Sequence, residues 1–280
     1  MKVYVLGNAG RQGVAAEVER WLPLLKEKVE VLTVDLRQER DLSTLPLADL
    51  ALVFGGDGAI LRAARQMGYR QVPVLGINLG RLGFLADIHP QDFSECFLQV
   101  VLDNYQVTRH LMFECVIEAG AGKQTFLGLN EVVVRAMPPF RMLELEMEVD
   151  GVPVSRFGGD GLIVSTPIGS TAHNLSAGGP ILGQELAAFV ITPICPHTLT
   201  YRSIVESADK TYSIRLSRAA ENAAVVVDGQ AVAQVTVEHR IVIRKAPVTF
   251  QLVKVLGHSY YQTLRDKLRW GTAPSYRGEP

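Results

Sequence analysis

The sequence predicts an α/β N-terminal domain with a parallel sheet, followed by a β-rich, β-sandwich-like C-terminal domain. Three observations carry this prediction. Short apolar runs alternate with helical patterns over the first hundred or so residues, and from about residue 105 the apolar period shifts to strict alternation, most plainly in Leu143-Glu144-Leu145-Glu146-Met147-Glu148-Val149. Asp150-Gly151 and Asp228-Gly229 then stand beside such runs as two-residue hairpin turns do. The expected domains are 1–104 and 105–258, with a helix over 259–270 packing back on the first.

Val3 to Leu6 is a short apolar run ending in Gly7-Asn8-Ala9-Gly10, and Val14, Val18, Trp21, Leu22 and Leu25 then follow helical spacing. Val29 to Val34 alternates as a strand does. Leu50 to Phe54 is short and apolar enough for a buried strand, and it stops at Gly55-Gly56-Asp57-Gly58 before Ile60, Leu61, Ala64 and Met67 resume a helical pattern. Val72 to Asn78 is another buried strand, leading into Leu79-Gly80-Arg81-Leu82-Gly83-Phe84-Leu85, and Pro90 to Leu102 reads as a helix. In the second half, strands are expected at Arg109–Glu118, Val132–Arg135, Tyr212–Leu216, Val235–Val237, Arg240–Arg244 and Val248–Val253. Tyr260 to Trp270 returns to helical spacing, and the tail from Gly271 is expected to be loose.

With 280 residues the chain can bury a large core, and its formal charge is −1 with both signs spread along it. Nucleic acid is not expected as a partner, because binding its backbone needs clustered cations. No apolar stretch reaches the roughly 20 residues that span a bilayer, and Met1 to Val5 reads as a strand rather than a signal peptide. No membrane association and a cytoplasmic location are therefore expected. Cys96, Cys115 and Cys195 are isolated and the six histidines lack ligand spacing, so neither a disulfide framework nor a zinc site is indicated.

The chemistry concentrates in two glycine-rich stretches. In Gly55-Gly56-Asp57-Gly58 the missing side chains let backbone amides approach a phosphate, and the following helix aims its partly positive end at the same place. Asp57 would repel such a guest unless a metal or a proton transfer were involved. Two readings stand at this point: a catalytic carboxylate, or a turn in which Asp57 caps the helix. The second stretch, Gly158 to Pro180, departs from strand pattern and is crowded with glycines and hydroxyls around Asp160. It reads either as a close-fitting polar binding surface or as a surface loop of Ω type. Asn130-Glu131 offers an amide for a base edge and a carboxylate for a ribose diol, or simply a turn. Neither Gly-x-Gly-x-x-Gly nor a Walker-type Gly-Lys-Ser/Thr occurs, which excludes the ordinary dinucleotide and P-loop motifs.

In order along the chain, Gly55-Gly56-Asp57-Gly58, Gly76-Ile77-Asn78-Leu79-Gly80-Arg81-Leu82-Gly83-Phe84-Leu85, Asn130-Glu131, Asp160-Gly161 through Ser176-Ala177-Gly178-Gly179-Pro180, Thr192-Pro193-Ile194-Cys195-Pro196-His197 and Asp228-Gly229-Gln230 resemble bacterial NAD kinases. The resemblance implies phosphorylation of the 2′-hydroxyl of the adenosine ribose of NAD to give NADP. ATP or polyphosphate would be the donor, with magnesium or another divalent cation accompanying ATP. It implies a site between the two domains and a homodimer or homotetramer. By position it makes Asp57 the proton acceptor and Gly55 and Gly56 the donor-phosphate loop. Asn130 and Glu131 would hold base and ribose, and Asp160 would lie by the nicotinamide. It assigns Gly58, Thr171, Ala172, His173, Asn174, Leu175, Ser176 and Cys195 to the NAD site, together with Arg62, Arg141 and Gln230.

Three positions depart from the family pattern. Ala59 stands where Thr is usual, His173 where Tyr is common, and Gly158 where some members have Arg. The competing readings are a lipid kinase with the same Gly-Gly-Asp-Gly loop and a dinucleotide sensor without catalysis. The hydroxyl-rich 165–176 segment speaks against the first, and intact Asp57, Asn130, Glu131 and Asp160 against the second.

Overall fold

The computed structural model describes residues 1–80, 83–86, 88–217, 223–255 and 260–269. Arg81 and Leu82 of the glycine-rich motif, both ends of the predicted 259–270 helix and the tail from Gly271 lie outside the described residues. The chain divides into two compact units, one formed by Met1–Gln66, Val72–Thr108 and the chain from Gln251 onward, the other by Met67–Gln71 and Arg109–Phe250.

The first unit alternates strand and helix: β1 (Lys2–Gly7), α1 (Val14–Lys28), β2 (Glu30–Asp35), β3 (Leu50–Phe54), α2 (Asp57–Met67), β4 (Val74–Ile77) and α3 (Phe93–Val101). The strands are parallel and lie in the order β2-β1-β3-β4. Their near-continuous apolar runs are what a sheet covered on both faces requires. Val3, Val5, Leu50, Leu52, Phe54, Leu75 and Ile77 pack with Val14, Val18 and Leu25 of α1 and Phe93, Phe97 and Val100 of α3. Of the residues facing the other way, Leu6, Ala51 and Val53 are wholly buried and Tyr4 almost so. Helix α2 lies close to β4, where a side chain at Gly76 would come within 2.7 Å of Ile60 Cδ1.

The second unit holds β5 (Gln106–Ala119, from Arg109), β6 (Gly122–Gly128), β7 (Glu131–Ala136), β8 (Leu143–Val149), β9 (Val152–Gly159), β10 (Gly161–Ser165), α4 (His173–Ser176), β11 (Ala188–Ile194), β12 (Ile204–Ser207), β13 (Tyr212–Leu216), β14 (Ala223–Val227), β15 (Gln230–Val235) and the first part of β16 (His239–Lys254). One sheet runs β12-β11-β10-β7-β14-β15, and every adjacent pair in it is antiparallel. The other runs β16-β13-β8-β9, with β5 pairing to β16 and β6. Alternate residues of both sheets, among them Val132, Val134, Leu162, Val164, Leu145, Met147, Tyr212 and Ile214, share one buried cluster, as in a sandwich. In the first unit, the far end of β16 pairs in parallel with β4 at Leu252 and Val74, and α5 (Tyr260–Leu268) follows.

Both Asp-Gly hairpins are present. Asp150 and Gly151 have φ of 51° and 79°, and Asp228 and Gly229 have 46° and 77°, the left-handed pair that a two-residue turn between twisted strands needs. Three expectations are corrected. Val235–Val237 is not a strand of its own, because β15 ends at Val235 and a turn follows. Gly158–Pro180 is not one continuous loop, because Gly158 and Gly159 end β9 and Gly161–Ser165 is a fully buried strand. A side chain at Gly161 would meet Val134 O at 2.2 Å, so that glycine serves close strand approach rather than a turn. The predicted strands Arg240–Arg244 and Val248–Val253 are one 16-residue strand, since the fixed φ of Pro247 is compatible with extended backbone. Among the described residues, no helix is long and apolar enough to cross a membrane.

Candidate active site

In the first unit, the strand order places β1 between β2 and β3, so the chain crosses over β1 to reach β3. Ligands of open parallel sheets gather outside the carboxyl ends of strands at such a reversal. A cavity of about 420 Å³ lies there, lined by Asn8 and Arg11 after β1, Gln38 after β2, Gly55, Gly56, Gly58 and Arg62 after β3, and Asn78 and Gly80 after β4. Gly56 and Gly58 are exposed and would meet no atom with an added side chain, so their backbone faces open space. Arg62 shares this cavity with the glycine loop. Arg11, Gln12 and Gln38 line it too and were not singled out from the sequence; reading the first strand–helix loop as a second wall of the same crevice would have found Arg11.

Asp57 opens α2, and its carboxylate is held by the turn that follows β4. Oδ2 accepts the Phe84 N–H at 2.8 Å, and Oδ1 accepts those of Leu85 and Ala86 at 3.0 and 3.1 Å. The turn is closed by Gly83 N–H donating to Ala86 O at 3.2 Å. A carboxylate has about four acceptor positions. Among the described residues three are filled, and the fourth is on Oδ2. The Phe84 ring in turn lies 6.5 Å from that of Tyr260 and 4.3 Å from Lys267 Nζ, both on α5.

Asp35 fixes another wall. Burial pushes its carboxyl up, but the amides of Arg40, Gln38 and Arg37 and the Gln66 side chain donate to it, and together they hold it below the usual carboxylate range. Gln38 is thereby locked at φ 60°, and its buried Nε2 has no hydrogen-bond partner among the described residues.

In the second unit, Asn130 and Glu131 enter β7. Asn130 Oδ1 and Glu131 Oε2 are both buried without a hydrogen-bond partner among the described residues, although such atoms are nearly always paired in a finished structure. That unmet demand fits a polar ligand. Burial, then the neighbouring charge of Asp228, pushes Glu131 up to about 8. Asp160 lines a cavity of about 400 Å³ with Arg135, Phe140, His173 and Ile194, of which Arg135 and Phe140 were missed in the sequence. The Cys195 thiol donates to Asp160, which raises the thiol above its ordinary range.

The 171–176 stretch is divided in its roles. His173 and Ser176 are exposed, while Thr171, Ala172 and Leu175 are half-buried. Asn174 is wholly buried and its side chain is spent internally: Nδ2 donates to Ser170 O and Pro180 O, and Oδ1 accepts from Thr192 Oγ1 at 2.6 Å. Its side chain therefore shapes the segment and is not available to a ligand. Arg141 and Gln230 are exposed and line neither cavity.

The ATP-NAD kinase N-terminal domain model matches residues 10–105, and the ATP-NAD kinase C-terminal domain model matches residues 129–255. The chain is 43% identical over 270 residues to the NAD kinase of Rhodopirellula baltica, covering 96% of this chain and 86% of that one. It is 39% identical over 271 residues to the NAD kinase of Geotalea daltonii, covering 92% and 94%. A crystal structure of an NAD kinase from Archaeoglobus fulgidus in complex with ATP superposes with a TM-score of 0.78 at 30% identity, covering 96% of this chain and 99% of that one. Yeast NADH kinase complexed with NADH superposes at 0.90 with 21% identity, covering 100% and 90%, which speaks for the fold alone. Two domain models in order, and relatives matched over nearly their whole length, show that this chain belongs to the NAD kinase family.

Proposed function

We propose that the protein transfers the γ-phosphate of ATP, or a terminal phosphate of polyphosphate, to the 2′-hydroxyl of the adenosine ribose of NAD. The observation that carries this reading is the Asp57 carboxylate, pinned by three amides with one acceptor position left on Oδ2 and flanked by glycines that border an arginine-bearing cavity. A ribose hydroxyl is too weak an acid to be ionised beforehand. In a loose phosphoryl-transfer transition state its proton leaves late, and a carboxylate oxygen at hand can take it. The 2′-oxygen then bonds to the γ-phosphorus, the bridging oxygen departs with ADP, and the proton rests on Asp57 before passing to water.

Arg11 and Arg62 would hold the donor's phosphates, and Gly55 and Gly56 would let amides approach them. Asn130 and Glu131 would take base and ribose, satisfying their two unpaired oxygens, and Asp160 would lie by the nicotinamide. Among the described residues, no group of three or more His, Cys, Asp or Glu is arranged to hold a metal. Magnesium would be carried by the donor's own phosphates and would supply neutralisation of the charge developing there. We infer that the chain works in the cytoplasm, where both substrates circulate, as a homodimer or homotetramer whose mass light scattering would give.

The test is a coupled assay. Purified protein with magnesium, ATP and NAD should yield NADP, followed by an NADP-specific dehydrogenase. NAD binding without NADP formation would overturn the kinase reading in favour of a sensor.

A further inference from the structure

What holds Asn130 and Glu131 in place lies almost a hundred residues further along the chain. Asp228, 8% exposed at the tip of the β14–β15 hairpin, turns its carboxylate onto the start of β7. Oδ2 accepts the Leu129 N–H at 2.8 Å, and Oδ1 accepts those of Asn130 and Glu131 at 2.7 and 3.2 Å. Its own N–H donates to Glu131 O at 3.0 Å. From the other side, Thr166 N–H donates to Asn130 O at 2.9 Å and Thr166 Oγ1 to Leu129 O at 2.6 Å. The backbone of residues 129–131 is thus clamped on both sides while two side-chain oxygens have no partner among the described residues.

We propose that Asp228 is a positioning residue for dinucleotide binding: by clamping the amides of Leu129, Asn130 and Glu131 it fixes where Asn130 Oδ1 and Glu131 Oε2 point, and its buried charge sets what Glu131 offers the ribose. The proposal rests on the assignment of Asn130 and Glu131 to NAD made above. It deepens that assignment, because Asp228 alone would otherwise read as a turn residue.

The electrostatics follow from the same geometry. Strands β10 and β14 on either side of β7 carry no charged residue, nor does the segment 166–171, so Asp228 is the charge acting on Glu131. With burial and Asp228 together holding Glu131 near 8, the side chain is mostly a neutral acid at pH 7. A neutral carboxyl gives a ribose diol one donor and one acceptor rather than two acceptors. As pH rises through about 8, Glu131 ionises next to Asp228, the donor is lost and NAD binding weakens.

The experiment is calorimetric titration of NAD into the full chain without ATP, from pH 6.5 to pH 9.5. In the wild type, Kd should rise above pH ~8, approaching about tenfold per pH unit. Removing the negative charge by Asp228→Asn lets Glu131 ionise at lower pH, so the alkaline limb should begin earlier, over and above a general weakening of about tenfold from the disturbed clamp. In Glu131→Gln the limb should vanish, whatever the affinity at pH 7. A purely structural role for Asp228 would raise Kd by one factor at every pH and leave the limb where it was, which overturns the proposal. So does a flat wild-type profile, or a limb retained in Glu131→Gln, the comparison that decides if Asp228→Asn fails to fold. Absence of NAD binding at every pH in the wild type would instead overturn the assignment of Asn130 and Glu131.

Discussion

Gly83 and Asp57 are in contact so close that only a hydrogen fits between them: a methyl group at residue 83 would stand 2.0 Å from Asp57 Oδ1 and 3.1 Å from Ala86 O. The glycine is what lets the turn wrap the carboxylate. Gly83→Ala must move either the turn or Asp57, and the amide bonds from Phe84, Leu85 and Ala86 go with it. We expect turnover to fall roughly 100-fold, as for a misplacement of about 1 Å. Steady-state kinetics would show this as a loss in kcat with little change in KM for NAD. Asp57→Asn should cost at least as much and also lower the melting temperature, because its amide turns an N–H toward a backbone N–H.

Arg62 lines the same cavity as Gly55, Gly56 and Arg11. The resemblance assigned it to NAD, but its neighbours are the groups expected to meet the phosphate donor. Arg62→Ala should therefore raise KM for ATP by about tenfold, the order expected for a lost charged hydrogen bond, and KM for NAD by much less. Initial rates with each substrate varied in turn would separate the two, and a larger effect on NAD would return Arg62 to the acceptor side.

Asn174 bridges Ser170, Pro180 and Thr192 from a fully buried position. Asn174→Ala leaves two carbonyls and a hydroxyl without that partner, at about 1–3 kcal/mol for each group left unsatisfied. Urea unfolding should show a midpoint shift to lower denaturant of that order. A shift within error would mean that the segment repacks at no cost.

Cys195 is exposed, yet its thiol donates to Asp160 and lies beside that negative charge, so its thiolate fraction at pH 8 is depressed. Alkylation by iodoacetamide should be slower than for an unhindered thiol and should speed up several-fold in Asp160→Asn, since removing the charge lets the thiol ionise at lower pH. Buried Cys115, pushed up to about 12, should stay unmodified. Intact-mass spectrometry over time, with peptide mapping, measures both sites. Equal rates in wild type and Asp160→Asn would refute the pairing.

Features set by local sequence were legible. The run before Gly55, the helical spacing after Asp57 and the Asp150-Gly151 turn each declare themselves within a few residues, because periodicity and left-handed backbone are local properties. What escaped were relations fixed by packing. Gly161 reads as loop until Val134 O is found against it, and Asn174 reads as ligand-facing until Thr192 closes over it. Asp228 was visible as a hairpin residue and as part of the Asp228-Gly229-Gln230 motif but not as a clamp, since the amides it accepts belong to residues 97 to 99 positions away. Arg11 belongs with the glycine loop only once strand order is known.

Strand β7 has a bonded neighbour along both edges, β10 on one and β14 on the other. Whatever side chains are mounted at its head are anchored to the part of a sheet that opens last when a protein breathes. A dinucleotide held by Asn130 and Glu131 would then meet a preformed shape rather than one moulded around it.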